Sequence, residues 1–263
     1  MLLERGEVLK LQTEYVYRYM SKEEFVDIIK NHGLTLKYPG NWPDKLEAFF
    51  LKTFETEEAC VELIRKYQNI YSNYSEMDIK SDFQIISALL VRARCQCWTK
   101  NKDDMRMWTE RPNETICISI KRETFERMGI KHSVVSYKPE ITIDGILDSF
   151  VSAERWVPKL ITEKKKDDFE YENEVRIYML PVDCDFRGCG IIADSLSDYL
   201  TQNYHWLKEK FKLEDEKIEF DPRDICEVLI HPKASTEFVE DIQKLCDEYF
   251  PSDIRAESSK LLG

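Results

Sequence analysis

A chain of 263 residues, 43% hydrophobic and 12% aromatic, has ample material for a buried core. Its net charge of −12 argues against loose, charge-driven binding to nucleic acid. No apolar run approaches the roughly 18 residues of a membrane span, and the start, Met1-Leu2-Leu3-Glu4-Arg5, turns charged at once instead of opening a secretory leader. The eight cysteines fall mostly in apolar stretches, which predicts reduced core thiols in a cytoplasmic protein. Cys95-Gln-Cys97 and the pair Cys184 and Cys189 lack zinc-site spacing, and the four histidines stand far apart, so no metal is expected.

Residues 1–14 read as an arm or short helix, and Tyr15-Val-Tyr-Arg-Tyr19 as a strand. Ser21-Lys-Glu-Glu24 is a capping box ahead of the stripe Phe25, Ile28 and Ile29, with Gly33 at the expected C-cap. Residues 34–38 return as a strand that Pro39-Gly40 stops, and 41–47 form a polar loop. Apolar spacing is helical over 55–74 and 81–93, with the polar stretch 73–80 between them. Residues 94–99 are a strand, 103–109 a short helix presenting Met105, Met107 and Trp108, and 115–120 and 133–137 two further strands. A helix covers 144–161, and Lys164-Lys-Lys166 reads as a solvated turn. After Pro181 come a glycine-containing loop, a helix over 194–211, a strand over 226–231, a helix over 235–249 and a last strand near 253–256.

Strands and helices mix without regular βαβ alternation, and no glycine-rich phosphate loop is present. The prediction is α+β: a mixed, mainly antiparallel, split sheet flanked by helices. It is read as one domain over 1–263, with a helical insertion near 50–93 and a helix–strand–helix extension over 194–263.

The stretch 167–180 carries the chemistry. Read as a strand from Tyr171, it puts Glu172, Glu174, Arg176 and Tyr178 on one face. Two carboxylates roughly 7 Å apart repel unless solvated or paired, and Arg176 is the nearest partner. The face is therefore either a solvated strand face with its own ion pair or the floor of a polar cleft in which one glutamate acts.

Tyr17-Arg18-Tyr19, residues 41–47, Cys97-Trp98-Thr99, Met107-Trp108, Ile116-Cys117-Ile118 and Tyr171-Glu-Asn-Glu-Val-Arg176 together resemble the bacterial family catalogued as domain of unknown function 2971. The resemblance spans roughly residues 15–180. The loop Asn41-Trp-Pro-Asp44-Lys-Leu-Glu47 departs from that family's pattern by shifting its acid and proline. More loosely, the order Arg18, Thr99, Glu172-x-Glu174 is similar to ADP-ribosyltransferases of the Arg-Ser-Glu type.

That similarity implies a use for each residue. Arg18 would pair with the pyrophosphate of NAD, and Thr99 would orient the nicotinamide end or the following glutamate. Glu174 would hold the ribose 2′-OH and stabilise an oxocarbenium-like centre, with Glu172 positioning the acceptor. Tyr17, Tyr19, Trp98 and Trp108 would stack on the rings, and Asn41 joins them as a cofactor-binding candidate. The expected activity is ADP-ribosyl transfer to an unknown protein or nucleic-acid acceptor, or NAD cleavage. The expected setting is a toxin or phage-defence effector, with an antitoxin or defence-system partner.

Plainer readings stand beside these. Arg18 can lie over neighbouring rings, Thr99 can end a strand, the tryptophans can be core, and Glu174 can simply pair with Arg176. His32, His132 and His231 read as structural, and His205 as a half-exposed helix residue. Two other functions remain open: a non-catalytic nucleotide- or protein-binding module, and a metal-dependent nuclease using Asp44, Glu47, Glu172 and Glu174.

Overall fold

A computed structural model describes residues 15–42, 53–138, 159–165, 170–180, 191–211, 213–250 and 254–261. In chain order its elements are β1 (Tyr15–Met20), α1 (Lys22–Asn31), β2 (Gly33–Leu36), α2 (Glu57–Ile70), α3 (Glu76–Arg92), β3 (Arg94–Thr99), α4 (Met105–Thr109), β4 (Ile116–Lys121) and α5 (Glu123–Arg127). They continue with β5 (Lys131–Val134), β6 (Ser136–Lys138), β7 (Glu163–Lys165), β8 (Glu174–Met179), α6 (Leu196–Lys210), β9 (Glu216–Glu219), β10 (Ile225–Ile230), α7 (Thr236–Tyr249) and β11 (Ala256–Ser258). Helices and a seven-stranded, mixed and mostly antiparallel sheet make the fold α+β. No helix among the described residues is long and apolar enough to cross a membrane. The expected arm at 1–14, most of the helix at 144–161, the loop after Pro181, Asp44, Glu47, Cys184 and Cys189 lie outside the described residues. The other six cysteines are thiols.

Contacts divide the chain into two compact units, residues 1–33, 98–130 and 219–263, and residues 34–97 and 131–218. In the first, β1 runs antiparallel to β4, β4 antiparallel to β10, and β10 parallel to β11. The cap of α1 is half the expected box. Ser21 Oγ accepts from Glu24 N, but the Glu24 carboxylate reaches Arg18 Nη2 at 3.3 Å. Phe25, Ile28 and Ile29 are its buried face, as their spacing predicts. The helix ends on His32, not Gly33: His32 takes the left-handed turn (φ 51°) and Gly33 opens β2. A polar side chain tolerates that conformation well enough to spare the glycine. The five-residue α5 has no counterpart in the sequence reading. It closes through Gly129 at φ 71° and Ile130 N to the Phe125 carbonyl at 2.9 Å.

In the second unit α2, α3 and α6 build a core around Phe54, Leu63, Tyr67, Phe83, Tyr204 and Leu207. The α3 helix begins at Glu76 inside the stretch expected to be a connector. The reason is a reciprocal cap between Ser75 and Asp78, with aspartate in the place usually held by glutamate. The strand expected over 133–137 splits at Val135: β5 pairs with β8 and β6 pairs in parallel with β7. Val135 N still bonds the Glu174 carbonyl at 2.9 Å across the break. Lys164 and Lys165 do not form the expected solvated turn. Glu163–Lys165 is strand β7, and Lys164 is only 3% exposed.

The Tyr38 and Tyr204 hydroxyls meet at 3.2 Å in this core, and burial pushes the Tyr38 phenol up to about 12. A phenol that ionises at higher pH folded than unfolded favours the fold fully below about pH 10, where both states keep the proton. That contribution is lost as the pH rises through 12. Urea unfolding should therefore show stability falling from about pH 10 upward, with a shallower fall in Tyr38→Phe; equal slopes would contradict this assignment.

Candidate functional site

The backbone ahead of β8 sets what its acids can do. Glu170–Glu172 form a 3₁₀ turn, Asn173 sits left-handed at φ 45°, and only Glu174 enters the strand. Glu172 therefore does not share a strand face with Glu174, and the two carboxylates expected to stack on one pleat belong to different local structures. Both faces of β8 are buried through Tyr178, so the solvated-face alternative does not apply either.

Glu174 and Arg176 are 2% and 1% exposed. One carboxylate oxygen, Glu174 Oε1, accepts from Arg176 Nε at 2.8 Å and from Nη2 at 2.6 Å. Arg176 Nη1 donates to the Ile161 carbonyl at 2.6 Å, and the guanidinium lies 4.5 Å from the centroid of the Trp42 ring. The Glu174 amide donates to the Tyr137 hydroxyl at 3.3 Å. The pair is a desolvated, charge-assisted clamp between β8 and the backbone at Ile161. Asn41 is exposed at the end of a short 3₁₀ turn in the same unit.

The other candidates belong to the first unit. Arg18 pairs with Glu24, and its side chain is 15% exposed. Tyr17 faces Thr99 in the β1–β3 register. Thr99 is 3% exposed, and its Oγ1 accepts from Asn101 N at 3.0 Å. Trp98 packs edge-on against Phe125 at 5.3 Å between centroids. Trp108 is fully buried, edge-on to Tyr19 at 4.7 Å and to His231 at 5.5 Å, with its Nε1 donating to Asp103 Oδ1 at 2.7 Å. His231 Nδ1 accepts from Lys233 N, so its Nε2 donates to the Trp108 carbonyl at 3.1 Å. Both indoles serve as core, leaving no open ring face for a nucleotide to stack on.

A cleft of about 410 Å³ opens beside Tyr19 in this unit, within the range of small-molecule sites. Its walls are Tyr19, the first turn of α1 and the turn from Arg111 to Thr115. The Arg111 guanidinium lies 5.3 Å from the Tyr19 ring centroid and donates to the Met107 carbonyl. Glu23, Glu24 and Glu114 outnumber Lys22 and Arg111 on the lining, and Lys22 bonds Asp241 at 3.1 Å. Backbone N–H donation at the helix start and the Ser21 hydroxyl hold the Glu23 carboxyl below the usual carboxylate range. Of the residues expected from sequence to bind a cofactor, Tyr19 lines this cleft. Arg111 and Glu114 had no signal of their own, because nothing local marks a turn that long-range packing brings beside β1.

No family model, curated protein or solved structure matches this chain. Among the described residues no three His, Cys, Asp or Glu side chains gather as a metal site.

Proposed function

We propose that this protein is a non-catalytic binding module that takes a small nucleoside-like ligand in the cleft beside Tyr19. The observation that carries this reading is the state of Glu174. A carboxylate that must hold a ribose hydroxyl and stabilise a developing cation needs access and an uncommitted charge. Glu174 has neither, since it is 2% exposed and doubly bonded by Arg176. The cleft supplies what binding requires: a planar guanidinium on an aromatic ring for a flat base, and carboxylates that accept from sugar hydroxyls.

A second reading, ADP-ribosyl transfer from NAD, is favoured by the pairing of Tyr17 with Thr99, which aligns the strand carrying Arg18 with the strand carrying Thr99. The toxin or defence setting and an inhibitory partner go with it. One experiment separates the two readings. A panel of nucleosides, nucleotides and NAD should raise the melting temperature of the wild type, and less so in Arg111→Ala, with no nicotinamide released from NAD. Nicotinamide release by the wild type that disappears in Glu174→Gln would establish the transferase instead. A panel that produces no shift would remove the binding module.

A further inference from the structure

Among the described residues of the unit formed by 34–97 and 131–218, the buried cation Arg94 forms no ion pair with a carboxylate. Arg94 opens β3 and is 6% exposed. Its Nε donates to the Glu214 carbonyl at 2.8 Å, and its Nη1 to the carbonyls of Val91 at 3.1 Å and Ala93 at 2.9 Å. The guanidinium also lies 5.7 Å from the centroid of the Tyr38 ring. These contacts fix the orientation of the fork, but carbonyls and a ring do not cancel a full charge. Among the described residues no carboxylate forms an ion pair with it, and its Nη2 carries two donors that none of them accepts.

Arg94 lines a cleft of about 180 Å³. Arg92 lines it too, with its guanidinium 4.9 Å from the centroid of the Phe211 ring, while Met179 and Leu180 add apolar wall. Among the described lining residues the one carboxylate, Glu216, is exposed and makes no ion pair with Arg94. A buried charge is costly unless paired, and a guanidinium held by three carbonyls presents its two remaining Nη2 donors to an oxyanion in a fixed direction.

We propose that this cleft is an oxyanion site that takes a phosphoryl group between Arg92 and Arg94. The cleft is smaller than the roughly 300–1,000 Å³ that drug-sized ligands fill. The ligand is therefore a free phosphate, or the phosphate end of an ester whose remainder stays outside. This site is separate from the cleft beside Tyr19 and does not depend on it.

Calorimetric titration of the full chain with inorganic phosphate, at constant ionic strength, should show one saturable site that chloride does not reproduce. Arg92→Gln should weaken it at least about tenfold. Arg94→Lys keeps the charge and loses the fork, and should weaken it similarly while the circular dichroism stays that of the wild type. Tighter binding of a nucleoside monophosphate than of phosphate would identify an ester as the ligand, and equal binding the free anion. Absence of saturable binding by either, or unchanged affinity in Arg92→Gln, would overturn the proposal. Arg92 is only half-buried, so its variant decides the matter even where Arg94→Lys fails to fold.

Discussion

Replacing Arg176 by methionine should lower the free energy of unfolding by about 3–5 kcal/mol, the usual loss when one member of a buried ion pair is removed. The residue left behind, Glu174, is 2% exposed and would keep a carboxylate in a desolvated site with no cation bonded to it. The variant also removes the donor to the Ile161 carbonyl and the stacking on Trp42. A compensated double variant sharpens the test. Glu174→Leu together with Arg176→Met replaces the pair by apolar groups of similar size, which is often neutral or better. It should recover most of the loss and keep a deficit of about 1–3 kcal/mol from the Ile161 carbonyl. Urea titration of the three proteins measures both numbers. A single-variant loss under about 1 kcal/mol would mean that the pair is solvated and weak. Glu174 would then be available for chemistry, and the transferase reading would regain its carboxylate.

Trp108→Ala is the second large effect, with an expected loss of about 3–5 kcal/mol, as for other buried aromatic truncations. Trp108 is 0% exposed and sits at the centre of a cluster. Its ring meets Tyr19 and His231 edge-on, its Nε1 bonds Asp103, and its carbonyl takes the His231 Nε2 proton. The Tyr19 hydroxyl in turn accepts from Asp104 N at 3.1 Å, which ties β1 to the cap of α4. Truncation leaves a cavity that these partners can only partly fill, and it strands the Asp103 acceptor. Trp108→Phe keeps most of the volume and should show a smaller loss. If Trp108→Ala unfolds like the wild type and fails only in ligand binding, the indole is a ligand platform and the core assignment is wrong.

These residues show where local reading succeeds. Patterns that repeat within one element survive intact. The aromatic β1, the Phe25–Ile28–Ile29 stripe of α1, the strand β3, the stripe of α3 and the amphipathic α7 stand close to where periodicity puts them. The α3 start was also legible in principle, since Ser75-x-x-Asp78 is a cap written in four residues. What failed was any inference that extended one pattern across a backbone irregularity. Asn173 at φ 45° cuts Glu172 out of β8, and no periodicity announces a single left-handed residue. Lys164 looked solvated because three lysines in a row usually are, yet it lies in β7 beside β6 and is buried.

The sequence by itself determined the longer helices and most of the sheet strands, the mix of elements that makes the class α+β, and the pairing preference of Glu174 for Arg176, because each is written in residues within a turn or a pleat of one another. The tertiary structure alone decided which charges lose their water. It buried the Glu174–Arg176 pair, enclosed Trp98 and Trp108, set Arg111 beside Tyr19, and left Arg94 held by carbonyls from Val91, Ala93 and Glu214. The physical reason is that desolvation is a property of everything that packs around a group. Segments far apart in the chain supply that packing, so the cost of a charge, and with it the use the charge can serve, is fixed only when they meet.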